Sequence, residues 1–257
     1  IGHLIGANLF FTNMQPNEQK NIYTDDVDYA NTPDDSVWGT EDKATNDLLQ
    51  STKITGKWLN LCAGDGRFNN HLLNSANEVV AVDVDESALQ KLIRITPKIL
   101  SNRLTTKAMN VTKPFPFDDN TFDGVFCVGT LHLFPKPIFK KIFNEIERVL
   151  KQNGRIIIDF ATDIKRTYSD GSLWIIENEP NYKLKEALAF LKEEFKNFEI
   201  NIITDKVDSE KVKLDDKEYI FSSNFILIDA KKIVRQRRTG VWSGFIDRLG
   251  IYGRSVD

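Results

Sequence analysis

Long hydrophobic runs and cysteines are both scarce in this chain of 257 residues. No stretch approaches the roughly 20 consecutive apolar residues that cross a bilayer, so the sequence predicts no transmembrane helix and no membrane partner. Two cysteines are too few for a disulfide framework or for a zinc site with four thiolates. Cys62 and Cys127 lie in apolar runs, which favours buried free thiols in a reducing compartment, and we expect a cytoplasmic location.

Charge of one sign does not dominate either. The chain has 34 Lys and Arg residues and 37 Asp and Glu residues, which gives a net charge of −3. The hydrophobic share of 41% and the charged share of 28% are those of a globular protein with a real core. The charges are nevertheless uneven: residues 18–47 carry nine acidic side chains and two lysines, and residues 231–257 carry seven basic ones. The remaining body is acidic, so any nucleic-acid contact is expected to be local and to use the basic tail.

The length suits one domain with appendages. We predict an N-terminal extension at 1–45 that acts as a lid, a central domain at 46–230, and a basic C-terminal extension at 231–257. The lid would carry Tyr23, Tyr29 and Trp38, and a polar insert at 162–181 would complete it.

Apolar runs alternate with helical spacing through the central domain. The strands are predicted at 57–62, 78–83, 103–110, 121–128, 155–160, 199–204 and 219–229. The clearest helices are predicted at 86–95, 137–150 and 184–195. Alternation of this kind predicts an α/β fold with right-handed crossovers and a mainly parallel sheet that has helices on both faces. The last two strands have only a polar link at 205–217, which predicts an antiparallel pair at the sheet edge.

A glycine turn follows the first strand, at Gly64 and Gly66. Glycines there let the backbone bend and approach a ligand closely. Asp83 lies 19 residues past Gly64, at the carboxyl end of the second strand, where a carboxylate can accept hydrogen bonds from both ribose hydroxyls. A dinucleotide fingerprint needs a third glycine where this chain has Asn69, so the pair predicts a nucleoside-containing ligand other than NAD.

Four segments resemble the class I S-adenosylmethionine-dependent methyltransferases. They are Leu-Asn-Leu-Cys-Ala-Gly-Asp-Gly-Arg-Phe at 59–68, Val-Ala-Val-Asp-Val-Asp-Glu-Ser at 80–87, Pro-Phe-Pro-Phe-Asp-Asp-Asn-Thr-Phe-Asp-Gly-Val at 114–125, and Glu-Ile-Glu-Arg-Val-Leu-Lys-Gln-Asn-Gly-Arg-Ile-Ile-Ile at 145–158. Their order and spacing over residues 58–160 are similar to those of the small-molecule enzymes of the ubiquinone and menaquinone biosynthesis type. The resemblance implies a Rossmann-like sheet of seven strands, mostly parallel, with the last strand antiparallel.

The resemblance also implies a site for S-adenosyl-L-methionine. Ala63, Gly64 and Gly66 would lie against its methionine part, Asp83 would bind the ribose, and Val84 would pack on adenine. The residues at the ends of the third and fourth strands would complete the adenine and sulfonium sites: Asn110, Val111, Val128, Gly129 and Thr130.

Three positions depart from the family pattern. Asn60 stands in the usual acidic place of the first motif, Cys62 replaces its first glycine, and Asn110 replaces the usual aspartate. Cys62 is expected to impose an ordinary backbone conformation, and Asn110 to accept a hydrogen bond from adenine through its amide oxygen. The loss of charge at Asn60, near the cofactor's ammonium group, is expected to lower affinity more than it disturbs the fold.

The implied chemistry is direct in-line displacement from a sulfonium, which by its nature needs no metal and no covalent intermediate. His132 follows the fourth strand and is the one histidine placed near the methyl group, as a base or an acceptor contact. The chain has no Asn-Pro-Pro-Tyr or Asp-Pro-Pro-Tyr sequence there and no Pro-Cys pair, so methylation of nucleic-acid bases is disfavoured. A small-molecule acceptor is therefore predicted. The alternatives are an RNA or protein methyltransferase that docks through the basic tail, and a cofactor-binding protein without catalysis.

Overall fold

The computed structural model describes residues 27–39, 42–176, 179–214 and 217–233. Its centre is a seven-stranded sheet with the order β3-β2-β1-β4-β5-β7-β6. The strands are β1 Lys57–Leu61, β2 Glu78–Asp83, β3 Leu104–Ala108, β4 Phe122–Cys127, β5 Leu150–Tyr168, β6 Phe198–Leu214 and β7 Lys217–Lys232. Strands β1 to β5 pair in parallel, and β7 runs antiparallel between β5 and β6. The prediction of a Rossmann-like, mostly parallel sheet is confirmed.

Five α-helices of the described residues cover the sheet. They are α1 Lys43–Ser51, α2 Asn69–Ser75, α3 Glu86–Ile95, α4 Lys136–Val149 and α5 Leu184–Glu194. Helices α1, α2 and α3 pack on one face, and α4 and α5 pack on the other. Both faces of the sheet are buried, as β2 shows. Its side chains alternate, with Val79 and Ala81 on one face and Val80 and Val82 on the other. No helix in these described ranges is both long and apolar enough to cross a membrane.

Local sequence explains where the main helices form. In α4, Phe139, Ile142, Phe143, Ile146 and Val149 are buried at three- and four-residue steps, which is the spacing of one helix face. Helix α3 begins after Asp85, whose carboxylate accepts hydrogen bonds from the backbone of Ser87 and Ala88. The carboxyl ends of β1 to β5 consequently meet along one edge of the sheet, which is where ligands bind in such folds.

Strands β5 and β6 are much longer than the sequence predicts, whereas β7 lies close to its predicted range of 219–229. Strand β5 continues through the predicted polar insert to Tyr168, and the predicted link at 205–217 is instead a continuation of β6 and β7. Register shifts at 162–165 and 207–210 mark bulges in this extension. The prediction of a link was wrong because the polar residues of this stretch pair backbone to backbone beyond the hydrophobic core, where no buried side chains mark the strands.

Candidate active site

A cavity of about 1260 Å³ lies at the carboxyl ends of the strands. The loops after β1, β2, β3 and β4 form one side, and the extended parts of β5, β6 and β7 form the other. Small-molecule sites usually measure about 300–1,000 Å³, so there is room for a nucleoside cofactor and a small acceptor together. Twelve of the residues assigned from the sequence to the cofactor and methyl-transfer site line it: Asn60, Cys62, Ala63, Gly64, Asp83, Val84, Asn110, Val111, Val128, Gly129, Thr130 and His132.

The glycine turn after β1 is sharply bent. Gly64 has a φ of +52°, and a Cβ added there would meet no atom within 4 Å, so its backbone faces open space. Gly66, by contrast, does not line the cavity, because a Cβ on it would lie 2.8 Å from Leu92 Cγ of α3. Gly66 therefore permits the close approach of loop and helix, while Gly64 leaves the cavity open.

Cys62 differs from its expected conformation. Its φ is +55°, in the left-handed region, and not the ordinary backbone conformation that a non-glycine residue predicts. The turn requires this geometry, because Ala63 N donates to Val82 O over 2.9 Å and thereby directs the chain over β2. Cys62 and Cys127 are free thiols, Cys127 buried and Cys62 half-buried. A hydrogen bond with Cys62, together with burial, raises the pKa of Cys127 well above its usual range.

Asp83 joins the two features that the sequence pairs. Its Oδ2 accepts a hydrogen bond from Gly64 N at 2.8 Å, and its Oδ1 accepts one from Asp85 N at 2.9 Å. The carboxylate thus lies directly against the glycine turn, at the mouth of β2, with Val84 beside it on the cavity wall. A carboxylate oxygen can accept two hydrogen bonds, so these contacts do not by themselves exclude a ligand hydroxyl.

Asn110 follows β3 and is only 7% exposed. Its Oδ1 accepts hydrogen bonds from Thr112 N at 2.9 Å and from Thr112 Oγ1 at 2.8 Å. Its Nδ2 is buried with no partner among the described residues. The amide oxygen, expected to contact a ligand, is therefore engaged locally, and the amide nitrogen is the group that remains for one.

Asp159 lies midway along β5, one residue past Ile158, which pairs with Cys127 at the end of β4, and the sequence-based prediction gave it no role. It is 6% exposed, lines the cavity, and its Oδ1 accepts a hydrogen bond from Gly129 N at 2.6 Å. Burial raises its pKa to about 7; the charge of Asp42 acts in the same direction, and the Gly129 hydrogen bond and Arg67 oppose it. The signal was a single carboxylate ending the apolar run of β5, which the strand prediction included without assigning it a role.

His132 lies in the short 3₁₀ turn after β4 and is 7% exposed. Its ring packs edge-on against Phe160, with centroids 6.2 Å apart, and its Nδ1 is buried with no partner among the described residues. Burial, helped by the charge of Arg166, lowers its pKa to about 3. The imidazole is therefore neutral at physiological pH, and its pKa is too low for an efficient general base.

The extended strands and the segment after β5 supply an aromatic wall, of which the sequence predicted Trp174, with Tyr168, as part of the insert at 162–181. Arg166 on β5 forms two hydrogen bonds to Glu179, at 2.7 and 2.9 Å, and this pair is nearly buried. The guanidinium lies 5.6 Å from the ring centroid of Trp174, which packs edge-on against Tyr219 at 4.9 Å. Trp174, Tyr219 and Phe221 all line the cavity. The aromatic part of this wall thus holds one arginine whose charge is balanced, and β6 adds charged side chains such as Asp205 and Glu210.

The segment from Val27 to Gly39 reaches the glycine turn from outside. Ser36 Oγ and Val37 N donate to the Asp65 carboxylate at 2.7 and 2.9 Å. Lys91 Nζ donates to Asp65 Oδ2 at 2.9 Å, and both side chains are fully buried. Trp38 and Tyr29 line the cavity, as a lid would. Tyr23, the third aromatic residue assigned to the lid, lies outside the described residues.

The arrangement fits an adenosyl cofactor by its own polar groups. A carboxylate is held at the ribose position, the open backbone of Gly64 is beside it, and an unpartnered amide nitrogen lies at the end of β3. Gly129, with a φ of +74° and nothing within 4 Å of an added Cβ, leaves equal room at the end of β4.

Comparisons with known proteins agree with this geometry. Residues 59–158 match the family model described as a methyltransferase domain. The fold is similar to that of the YcgJ protein from Bacillus subtilis, with a TM-score of 0.55 and 14% identity over 74% of this chain and 97% of that one. A SAM-dependent methyltransferase from Methanosarcina mazei gives a TM-score of 0.53 and 16% identity over 73% of this chain and 97% of that one. The DhpI–SAH complex gives a TM-score of 0.52 and 17% identity over 75% of this chain and 84% of that one.

A curated relative is phosphoethanolamine N-methyltransferase 1 from Triticum aestivum. It is 29% identical over 163 residues, which are 60% of this chain and 32% of the relative. The match thus spans about a third of that protein's length. Residues 59–158 thus form a methyltransferase domain with the Rossmann-like sheet of these solved structures, and within it the glycine turn and Asp83 lie in contact.

Proposed function

We propose that this protein transfers a methyl group from S-adenosyl-L-methionine to a small-molecule acceptor. The observation that carries the proposal is the contact between Asp83 and Gly64 at the base of a cavity with room for two ligands. Asp83 would hold the ribose hydroxyls, Val84 and Val111 would pack on adenine, and the Asn110 amide nitrogen would donate to an adenine ring nitrogen. Ala63 and Gly64 would pass close to the methionine part.

The cofactor supplies an activated methyl group on a sulfonium when it is bound. The protein's task is then to align the acceptor with that methyl group and to exclude water. Val128 and Gly129 would lie beside the reacting centre at the end of β4. The segment from Val27 to Gly39 and the aromatic wall would close the cavity from both sides.

His132 is assigned a contact with the acceptor. Its neutral ring and unpartnered Nδ1 suit it to accept a hydrogen bond from an acceptor O–H or N–H and so to orient the attacking atom. It would orient the acceptor and would not remove its proton, because a group with a pKa of about 3 binds a proton weakly at neutral pH.

A small acceptor is favoured by the enclosure of the cavity and by the aromatic residues that line its far wall. The curated relative is named for methyl transfer to a small amine, so amines are the first acceptors to test. The alternative, an RNA or protein substrate, would dock on the basic tail at 231–257. The first two residues of that tail, Lys231 and Lys232, belong to β7, and residues 234–257 lie outside the described residues.

The test is release of S-adenosylhomocysteine from the purified protein, measured over panels of small amines, phenols and carboxylates, with bulk RNA and protein as separate panels. Turnover with a small molecule is expected. His132→Asn should lower kcat/KM for that acceptor by about tenfold or more, while calorimetric affinity for S-adenosylhomocysteine stays unchanged. Turnover only with RNA or protein would contradict the small-molecule assignment, and cofactor binding without turnover on any panel would favour the non-catalytic alternative.

A further inference from the structure

Strand β1 presents no carboxylate to the cavity. Asn60 lies where the resembling family has an acidic residue; it is 4% exposed, and its Nδ2 donates to Asn69 Oδ1 at 3.2 Å. The cofactor ends in an α-amino acid with one ammonium and one carboxylate group. A closed cavity must offer that ammonium an anionic or polar partner, because an unpaired buried charge is costly.

The order of the strands shows where this end of the cofactor must lie. With the ribose at Asp83 on β2 and the base toward β3, the rest of the molecule extends over β1 and β4 toward β5. Neighbouring strands are about 4.8 Å apart, so β5 is about 14 Å from β2. Asp159, which lies on β5 just past the level where β4 ends, is therefore within reach of the amino acid end.

Most carboxylates near this region are already engaged. Asp65 accepts from Ser36, Val37 and Lys91. Asp42 caps α1 through hydrogen bonds from Thr45 N and Oγ1, at 2.9 and 2.8 Å.

Asp159 differs from these carboxylates. Its Oδ1 accepts one hydrogen bond, from Gly129 N, and the side chain still contributes to the cavity wall. Asp159 is on the same face of the sheet as Asn60, because Ile157, two residues earlier on β5, packs in the cluster of Phe126, which pairs with Asn60.

A positive group lies in the same region. Arg67 follows the glycine turn and lines the cavity, and its Nε is buried with no hydrogen-bond partner among the described residues. Its guanidinium lies 4.9 Å from the ring centroid of Phe68, which holds the side chain in place. Arg67 and Asp159 therefore line the same cavity, one with a positive and one with an acidic side chain.

We propose that Asp159 and Arg67 bind the α-amino acid end of the cofactor, Asp159 pairing with the ammonium group and Arg67 with the carboxylate. The negative charge absent from β1 at Asn60 is thus supplied from β5. The inference rests on the proposed function only in its cofactor, and it does not depend on which acceptor is methylated.

The test compares two ligands by calorimetry. S-adenosylhomocysteine carries the amino acid end, and 5′-methylthioadenosine shares the adenosine and sulfur but lacks both charged groups. Asp159→Asn removes the charge and keeps an oxygen for Gly129 N, so the local fold should survive. We expect it to weaken S-adenosylhomocysteine binding by about tenfold or more and to leave 5′-methylthioadenosine binding unchanged. Arg67→Gln should give the same selective loss.

Asp205→Asn is the matched control, because Asp205 is an exposed carboxylate that lines the same cavity from β6. It should leave both affinities unchanged. Equal affinities of the wild type and Asp159→Asn for S-adenosylhomocysteine would overturn the inference, as would a parallel loss for both ligands. Wild-type protein that binds neither ligand would instead contradict the proposed function.

The dependence of affinity on pH gives a second readout. The ammonium group favours ionised Asp159, so binding must release a proton wherever the free carboxyl is protonated. The groups that face Asp159 are Asp42, Arg67 and the Gly129 amide. With a free-state pKa of about 7, affinity for S-adenosylhomocysteine should rise between about pH 6 and pH 8 in the wild type and stay flat in Asp159→Asn. The same slope in both proteins would overturn the inference.

Discussion

Some side chains that line the cavity also accept hydrogen bonds from the backbone of neighbouring loops. The Asp83 carboxylate accepts hydrogen bonds from Gly64 N and Asp85 N, so it orients the glycine turn before any ligand arrives. Cys62 is the complementary case, since its left-handed backbone costs about 1–2 kcal/mol that a glycine would not incur. A conformation of this kind persists only where the surrounding hydrogen bonds require it.

Replacing Asp83 with Ala is expected to weaken S-adenosylhomocysteine binding by about tenfold or more, because charge-assisted hydrogen bonds to the ribose would be lost. Asp85→Ala is the control: Asp85 also lines the cavity, but its carboxylate caps α3. That variant should lose about 1 kcal/mol of unfolding free energy and little affinity. Calorimetry and urea unfolding separate the two effects, and an unchanged affinity in Asp83→Ala would refute the ribose assignment.

At the scale of elements, the segment from Val27 to Gly39 is fastened to the glycine turn by buried charges. Lys91 of α3 donates to the Asp65 carboxylate at 2.9 Å and to the Asp35 carbonyl at 2.7 Å. The glycine turn, α3 and the segment from Val27 to Gly39 are therefore joined at a single point. A buried pair of this kind adds little stability over apolar packing, but the loss of one partner leaves an uncompensated charge.

Lys91→Met should accordingly lower the free energy of unfolding by about 3–5 kcal/mol, measured by urea denaturation. The double variant Lys91→Met with Asp65→Asn should recover part of that loss, because no unpaired charge remains. Exposed Lys43, paired with Asp47 on the surface of α1, provides the control: Lys43→Met should change stability by less than about 1 kcal/mol. A similar small loss in Lys91→Met would show that the buried pair does not fasten the segment.

At the scale of the whole molecule, the sheet extends beyond its own helices. The last parts of β5 and β6 and the first part of β7 form the far wall of the cavity, and β7 ends at Lys232 on the opposite side of the sheet. The Lys232 ammonium donates to the carbonyls of Glu147 and Leu150, at 2.6 and 3.0 Å, and so joins β7 to the end of α4. The basic tail as predicted from the sequence therefore includes two residues that belong to the sheet.

Deletion of residues 234–257 should leave both folding and turnover of a small acceptor intact, because β7 is kept whole. Turnover and S-adenosylhomocysteine affinity are measured on the shortened protein and on the full chain. Deletion from residue 231 is the contrasting variant and should reduce stability, since it removes the contacts of Lys232. Lost turnover with cofactor affinity retained in the shorter deletion would indicate a macromolecular substrate.

The sequence predicted helix α3 with its observed bounds and β2 likewise, because their hydrophobic spacing is regular and their caps are local. The extended halves of β5 and β6 could not be predicted in the same way. They pair backbone to backbone outside the core, so their side chains carry no alternation that distinguishes strand from loop. Arg166, Glu179 and Tyr219 were consequently not recognised as members of one wall.

The sequence by itself determined the fold class and the pairing of a glycine turn with Asp83. Both depend on short segments, and the geometry of such segments is set locally by strand, turn and helix. Tertiary structure alone decided that Asp159 and Arg67 share a cavity with that turn. These residues are 92 positions apart, and only the order of the strands brings them together. Burial then changes the chemistry of such groups, raising the pKa of Asp159 to about 7 and lowering that of His132 to about 3.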